Sequence, residues 1–281
     1  MIDFSTILFR CSSLGYIMTE PRNKNELLSE TCKTHLIDVY VRHKYGRQSD
    51  ISNKYTEKGL MVEEDSITLY SRVKKKLFTK NERHLSNECI KGTPDLFIGH
   101  ALEQAEEVID IKSSWDIFSF FRVHTQLLNK HYYWQLQGYM ALTGASTSTL
   151  AYCLVNTPQA TIMDEKRKLF YKMNVATDEN DLYKEACTEL EKAMIYDDIP
   201  IKERVIEISV ERNDMDIEHI YKRVEDCRCY LSELQNELHG VQPPSIPIID
   251  TTIRIDIGDA TKKNKKRKDE RNQLCINQRC V

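Results

Sequence analysis

Residues 106–113, E-E-V-I-D-I-K-S, form an apolar run broken twice by charge. Side chains alternate across a strand, so Val108, Asp110 and Lys112 share one face while Ile109 and Ile111 point to the other. Two further runs, L-F-T-K at 77–80 and E-C-I-K-G-T-P-D-L-F-I-G at 88–99, extend this into a predicted three-stranded meander over 77–113. Proline fits a strand only at an edge or an irregularity, so Pro94 predicts a bend at Asp95. Helical spacing marks residues 24–42, where Leu27, Leu28, Leu36, Val39 and Tyr40 recur without internal Gly or Pro, and again about 58–76, 130–143, 179–195 and 216–238. S-T-S-T-L-A-Y-C-L-V-N-T-P predicts a buried strand ending before Pro158, and R-V-I-E-I-S-V another. W-D-I-F-S-F-F-R-V-H-T, after Ser114, fits a lid, a substrate-contacting loop or a short helix; Trp115, Phe118, Phe120 and Phe121 are the residue types of a core or interface.

The chemistry enters where polar groups break these patterns. Burying two charges costs several kcal/mol per ion unless each finds a partner, so Asp110 and Lys112 side by side on a buried strand point to a site. Asp95 from the preceding strand completes an oxygen pocket suited to a hard cation such as Mg²⁺. In the 58–76 helix Gly59, Glu63, Ser66 and Tyr70 fall on one face, which makes Glu63 the third candidate carboxylate and Glu64 its solvent-facing neighbour. Gln135 and Tyr139 stand one turn apart on the 130–143 helix, a spacing that is ordinary by itself. Near the start, Arg10, Ser12 and Ser13 precede L-G-Y-I-M; the serines either cap that helix or, with Arg10, grip a phosphate at its start.

A chain of 281 residues with 41% hydrophobic and 30% charged residues reads as globular, with ample length for a core. Its net charge of −3 excludes a uniformly basic nucleic-acid coat, so a polyanion must meet a local basic channel. No apolar run approaches the roughly 18 residues that span a bilayer, and the early Asp3 argues against a secretory leader, so a cytoplasmic location is expected. The nine cysteines lack framework spacing and are expected to stay reduced; neither Cys227/Cys229 nor Cys275/Cys280 has the spacing of a metal knuckle. After Gly240 the chain turns to Q-P-P-S-I-P-I-I-D and then K-K-N-K-K-R-K, predicting a mostly extended basic tail over 241–281 behind a domain at 1–240.

In order, Gly59-x3-Glu63-x2-Ser66-x3-Tyr70, Gly92-x2-Asp95, Asp110-x-Lys112 and Gln135-x3-Tyr139 resemble the motifs of PD-(D/E)xK nucleases of the RecB-like, YqaJ/lambda-exonuclease branch. The match spans about residues 59–144, and F-R-C-S-S-L-G is similar to the start of such phage proteins. Ser66 departs from the usual Ala and Asp110 from the common Glu. The resemblance implies an α/β fold with a restriction-endonuclease-like core, a central mixed β-sheet flanked by helices. It further implies Mg²⁺ or Mn²⁺ held by Asp95, Asp110 and the Ile111 carbonyl, with Glu63 nearby, and Lys112 acting on the attacking water. Gln135 and Tyr139 position Lys112 and the DNA backbone in that branch, and a DNA 5′ phosphate is held near Arg10, Ser12 and Ser13. The implied activity is a metal-dependent 5′-to-3′ double-strand DNA exonuclease of phage-type recombination, in the host cytoplasm if phage-encoded. Its implied partners are double-stranded DNA, a single-strand annealing protein and copies of itself in a ring. Two alternatives stay open, a structure-specific RecB-like endonuclease and a nuclease-fold protein that binds DNA without cutting.

Overall fold

The computed structural model describes residues 2–48, 54–126 and 128–240. The expected basic tail, its lysine run and Cys275/Cys280 lie outside the described residues. One compact unit covers Met1–Glu237. In chain order it contains β1 (Phe9–Arg10), α1 (Leu14–Ile17), α2 (Glu30–Tyr45), α3 (Lys54–Met61), α4 (Glu63–Lys74), β2 (Leu85–Ser86), β3 (Ile90–Gly92), β4 (Leu96–Ile98) and β5 (Glu107–Ser113). There follow α5 (Ile117–Arg122), α6 (Lys130–Thr143), β6 (Thr147–Cys153), α7 (Gln159–Met173), α8 (Asp181–Lys192), β7 (Val205–Glu211) and α9 (Asp214–Gly240). No helix among the described residues is long and apolar enough to cross a membrane.

The strands form two sheets. The larger is mixed, in the order β4-β5-β6-β7: β4/β5 and β6/β7 are antiparallel and β5/β6 parallel. The smaller joins β1 and β2 to either side of β3, with Arg10 opposite Lys91. The alternation read from V-I-D-I-K holds. Val108 packs with Leu136, Met140 and Leu150 toward α6, whereas Ile109 and Ile111 pack with Val62, Ile67 and Tyr70 of the α3–α4 arm. Asp110 and Lys112 therefore face the α6 side.

Several expected boundaries move for local reasons. The predicted 24–42 helix starts later, as α2 at Glu30, because Ser29 is its N-cap and accepts a hydrogen bond from the Cys32 amide at 3.0 Å. The predicted 58–76 helix is two helices broken at Val62, which has φ −112° and ψ 12°. L-F-T-K is no strand; Leu77 is 88% exposed, and the segment is held instead by Asn81, whose amide groups donate to the Asp95 carbonyl at 2.7 Å and to the Pro94 carbonyl at 2.9 Å. The second predicted strand is split by T-P-D into β3 and β4, which belong to different sheets. The bend expected at Asp95 is thus the seam between sheets. Of the four aromatics after Ser114, only Phe120 is fully buried, with Phe118 and Phe121 exposed. Helix α7 has no counterpart in the sequence expectation.

α6 matches its predicted span, capped by Asn129, which accepts from the His131 amide at 2.9 Å, and ended by Gly144 at φ 80°. It packs against β3 and the turn at Cys11 so closely that two glycines are required. A Cβ on Gly92 would sit 2.8 Å from the Tyr139 ring and 2.9 Å from Cys11 Sγ, and one on Gly138 2.6 Å from Leu14. The long α9 closes the unit: Arg228 donates to the carbonyls of Ile7 (2.9 Å) and Glu88, and Gln235 exchanges hydrogen bonds with the Ile2 main chain at 3.0 Å.

Overpacking of this kind costs about 1–3 kcal/mol. Gly92→Ala is therefore expected to lower the urea unfolding midpoint by a free energy of that order. Gly59→Ala, whose new Cβ meets nothing within 4 Å, is expected to be neutral or mildly stabilising through helix propensity; equal effects of the two would exclude tight packing at Gly92.

Candidate active site

β5 carries the acid and the base. Extending the pairing of Leu96 with Ile109 by one residue brings Asp95 opposite Asp110, where Cβ atoms stand about 4.5–5.5 Å apart. Asp95 lies just past the proline bend, and its Oδ2 accepts the Ile111 amide hydrogen at 2.7 Å. Asp110 is 1% exposed. Its Oδ1 accepts from Gln135 Nε2 at 2.8 Å, and the same Nε2 lies 2.9 Å from the Tyr139 hydroxyl. Its Oδ2 has no well-aligned hydrogen bond but stands 2.7 Å from Lys112 Nζ as an ion pair. The Lys112 ammonium also lies 5.1 Å from the Tyr132 ring centre. Four of the predicted site residues, Asp110, Lys112, Gln135 and Tyr139, therefore form one connected group, with Asp95 across the strand pair.

Glu63 is placed differently. It opens α4 with Glu64 and Asp65, where acids favour the positive end of the helix, and its carboxylate is paired with Lys80 Nζ at 2.7 Å. It lines the same cleft as Asp95, but among the described residues no three His, Cys, Asp or Glu side chains are gathered closely enough to hold a metal ion. Ser66 hydrogen-bonds Ser113 at 2.8 Å, tying α4 to the end of β5, and Tyr70 donates to Glu207 of β7 at 2.7 Å, away from the acids.

Asp95, Ile111 and Lys112 line an open cleft of about 820 Å³, and the buried Asp110 between them does not reach its surface. Gly59, Leu60 and Glu63 form one wall, and Trp115, Asp116, Ser119, Arg122 and Val123 the other, with Tyr132 and Tyr152 beside Lys112. The two walls are joined by Lys58, 3% exposed, whose ammonium donates to the Trp115 carbonyl at 2.8 Å and lies 5.3 Å from the Trp115 ring centre. Burial pushes this lysine down to about 8, against the pull of Asp116. Lys58, Lys80, Arg122, Tyr132 and Tyr152 were not singled out from the sequence; only Lys58, next to Gly59, carried a signal.

The N-terminal trio occupies a separate pocket of about 310 Å³ between α2 and the β1/β3 pair. Arg10, Ser12 and Ser13 line it together with His35, Arg42, His43 and Lys91, and among the described residues no acid does. Burial, then the charges of Lys91 and Arg42, push His43 down. The expected serine N-cap does not form: Ser13 Oγ donates to the Arg10 carbonyl at 2.9 Å and makes no cap bond.

Burial, and then repulsion from Asp110, push Asp95 up to about 7, against the Ile111 amide and the Lys112 charge. For Lys112 burial pulls downward, but the attraction of Asp110 and Asp95 outweighs it and the ammonium is favoured.

No protein-family profile and no curated protein matches the sequence. Solved structures do match the fold. A phage-related exonuclease from Haemophilus somnus 129PT aligns with 83% of this chain and 97% of its own, at 24% identity and a TM-score of 0.63. An alkaline exonuclease from Laribacter hongkongensis, LHK-Exo, aligns with 83% of this chain and 92% of its own, at 15% identity and a TM-score of 0.54. Its complex with dAMP aligns with 82% and 91%, at 16% identity and a TM-score of 0.54. At these identities the likeness establishes a shared fold, and it covers the α/β nuclease-like core expected from the sequence.

Because Asp95 holds its proton more tightly folded than unfolded, its contribution to stability is present below its ordinary value of 3.8 and lost as pH rises through about 7. Asp95→Asn keeps an acceptor for the Ile111 amide and removes the charge. In metal-free buffer it is expected to unfold at higher urea than the parent at pH 8, by roughly 1–3 kcal/mol after discounting for partial exposure, with the gap closing toward pH 4. A pH-independent difference would exclude a strained carboxylate at this position.

Proposed function

We propose that the chain is a metal-dependent deoxyribonuclease, acting as a 5′-to-3′ exonuclease on double-stranded DNA. The observation that carries this reading is the buried Asp110, held by Gln135 on one oxygen and by Lys112 on the other, opposite Asp95, which with Lys112 lines an open cleft. Two features fit a hard divalent cation there: an all-oxygen donor set from Asp95, Asp110 and the Ile111 carbonyl, and two carboxylates whose mutual repulsion a cation relieves. Glu63 is the fourth candidate ligand, on release from Lys80. The exonuclease descriptions of the structures that share the fold, one of them complexed with dAMP, support the same substrate class.

Bound Mg²⁺ or Mn²⁺ supplies Lewis-acid polarisation of a phosphoryl oxygen and charge neutralisation. The protein's own groups do the rest. Gln135 fixes the Asp110 carboxylate in one rotamer and, through its contact with the Tyr139 hydroxyl, ties it to the rigid α6. Lys112, kept as an ammonium by its two acids, orients the attacking water and meets the charge that develops on phosphate. The water oxygen bonds to phosphorus and passes one proton to bulk water, the P–O bond to the leaving nucleotide breaks, and the leaving oxygen takes a proton back from solvent.

The acid-free pocket at Arg10, Ser12 and Ser13 supports capture of a 5′ phosphate, and Lys91 there is four residues from Asp95. A fully extended chain spans at most about 3.6 Å per residue, so the two α-carbons are within roughly 15 Å, a reach of about four nucleotides along one strand of a duplex.

The test compares linear duplex with 5′-phosphate ends, linear duplex with 5′-hydroxyl ends, and closed circles, with Mg²⁺, Mn²⁺ or EDTA. Metal-dependent loss of the phosphorylated linear duplex alone is expected. Cutting of circles makes the protein an endonuclease, and no cutting under any metal removes the hydrolase reading. Asp110→Ala and Lys112→Ala are each expected to lower the rate roughly 10²–10⁴-fold with DNA binding retained, and Arg10→Ala to erase the preference for a 5′ phosphate; near-normal turnover in the first two variants would sink the assigned site.

A further inference from the structure

The cleft floor is acidic, yet a nucleic-acid strand entering it is a polyanion, so the cations that line the cleft decide where its backbone runs. Most positive charge near the floor is committed: Lys112 to Asp110, Lys80 to Glu63, and Lys58 to main-chain carbonyls. Arg122 is different. It lines the cleft from α5 and forms no ion pair among the described residues. Phe118 lies one turn before it on the same helix face, and residues four apart on a helix are neighbours. Phe118 is 71% exposed, whereas Phe120 of the same helix is wholly buried and fastens α5 to Leu154, Tyr196 and Ile206. The helix is further fixed by a reciprocal cap, in which Asp116 accepts from the Ser119 amide at 2.7 Å and Ser119 Oγ accepts from the Asp116 amide at 3.3 Å. Lys58 ties the preceding turn to the opposite wall. An aromatic face and a guanidinium are thus presented together on a rigid wall, the combination that holds single strands by stacking and phosphate contact. The cleft volume lies within the roughly 300–1,000 Å³ that drug-sized ligands fill. That suits one or two nucleotides.

We infer that α5 is the strand-gripping wall of the cleft: Arg122 contacts a backbone phosphate of the strand entering the site, and Phe118 stacks on an adjacent base. The inference rests on the nuclease reading for the identity of the ligand as DNA, but its test does not depend on hydrolysis.

The experiment measures binding of the full chain to a fluorescein-labelled DNA 20-mer, single-stranded and duplex, by anisotropy in EDTA over a series of salt concentrations. Arg122→Gln is expected to flatten the slope of log Kd against log salt by about 0.7–0.9, the amount due to one phosphate contact. Phe118→Ala is expected to weaken single-strand binding about 5- to 50-fold with the slope unchanged, and Phe118→Trp to restore it. Leu77→Ala, which removes an equally exposed apolar side chain elsewhere, serves as control and binds as the parent does. An unchanged slope in Arg122→Gln, or a Phe118→Ala loss that Trp does not repair, overturns the inference. Nuclease assays on the same proteins separate the two readings. If the parent cuts DNA while both variants bind as it does, the wall alone is refuted; if the parent binds with the expected variant losses yet cuts nothing, the wall stands and the hydrolase reading falls.

Discussion

A carboxylate that is 1% exposed must be matched on both oxygens or give up its charge, and Asp110 sets the geometry of everything around it. Its partners come from two directions. Lys112 is two residues along the same strand, which fixes β5 as a strand and no other element, while Gln135 comes from α6 and fixes how near that helix must lie. The close approach at Gly92 and Gly138 is the packing counterpart of that hydrogen bond. Add a methyl group at either position and α6 retreats from the acid it holds.

The sequence displayed this centre because charge inside a period-two apolar run is costly, and only a paired arrangement explains V-I-D-I-K. α6 was readable to its ends because Asn129 and Gly144 punctuate it. The failures have equally local causes. Leu27 suggested an early start for α2, but it is 62% exposed, and the Ser29 cap decides the boundary. L-F-T-K looked like a strand by composition, although Phe78 alone of its apolar pair is buried. α7 escaped notice because Ile162 is its only fully buried residue, so no core-facing stripe was written into it.

The site itself was partly legible. Asp95, Asp110, Lys112, Gln135 and Tyr139 were expected together and are together, whereas Glu63 belongs to the cleft but is engaged by Lys80, a residue with no motif around it. Long-range partners of that kind leave no trace in spacing. The same holds for Arg42, His43 and Lys91, which join Arg10 only because β1 pairs with β3 beneath the last turn of α2. The seam between the two sheets lies between that pocket and the acids, and Pro94 with Asn81 holds the chain there in one conformation.

The hydrogen bonds from Arg228 to Ile7 and Glu88 have a consequence for synthesis. The contact with Ile7 spans 221 residues of sequence, and contacts that distant are made late because the loop between them must first be closed. At about 5–20 residues per second, a ribosome needs on the order of ten to forty seconds to pass from the first strand to α9. Throughout that interval the Ile7 and Glu88 carbonyls, just ahead of β1 and β3, lack their arginine donor. The first strand to be made is thus among the last parts of the fold to be secured.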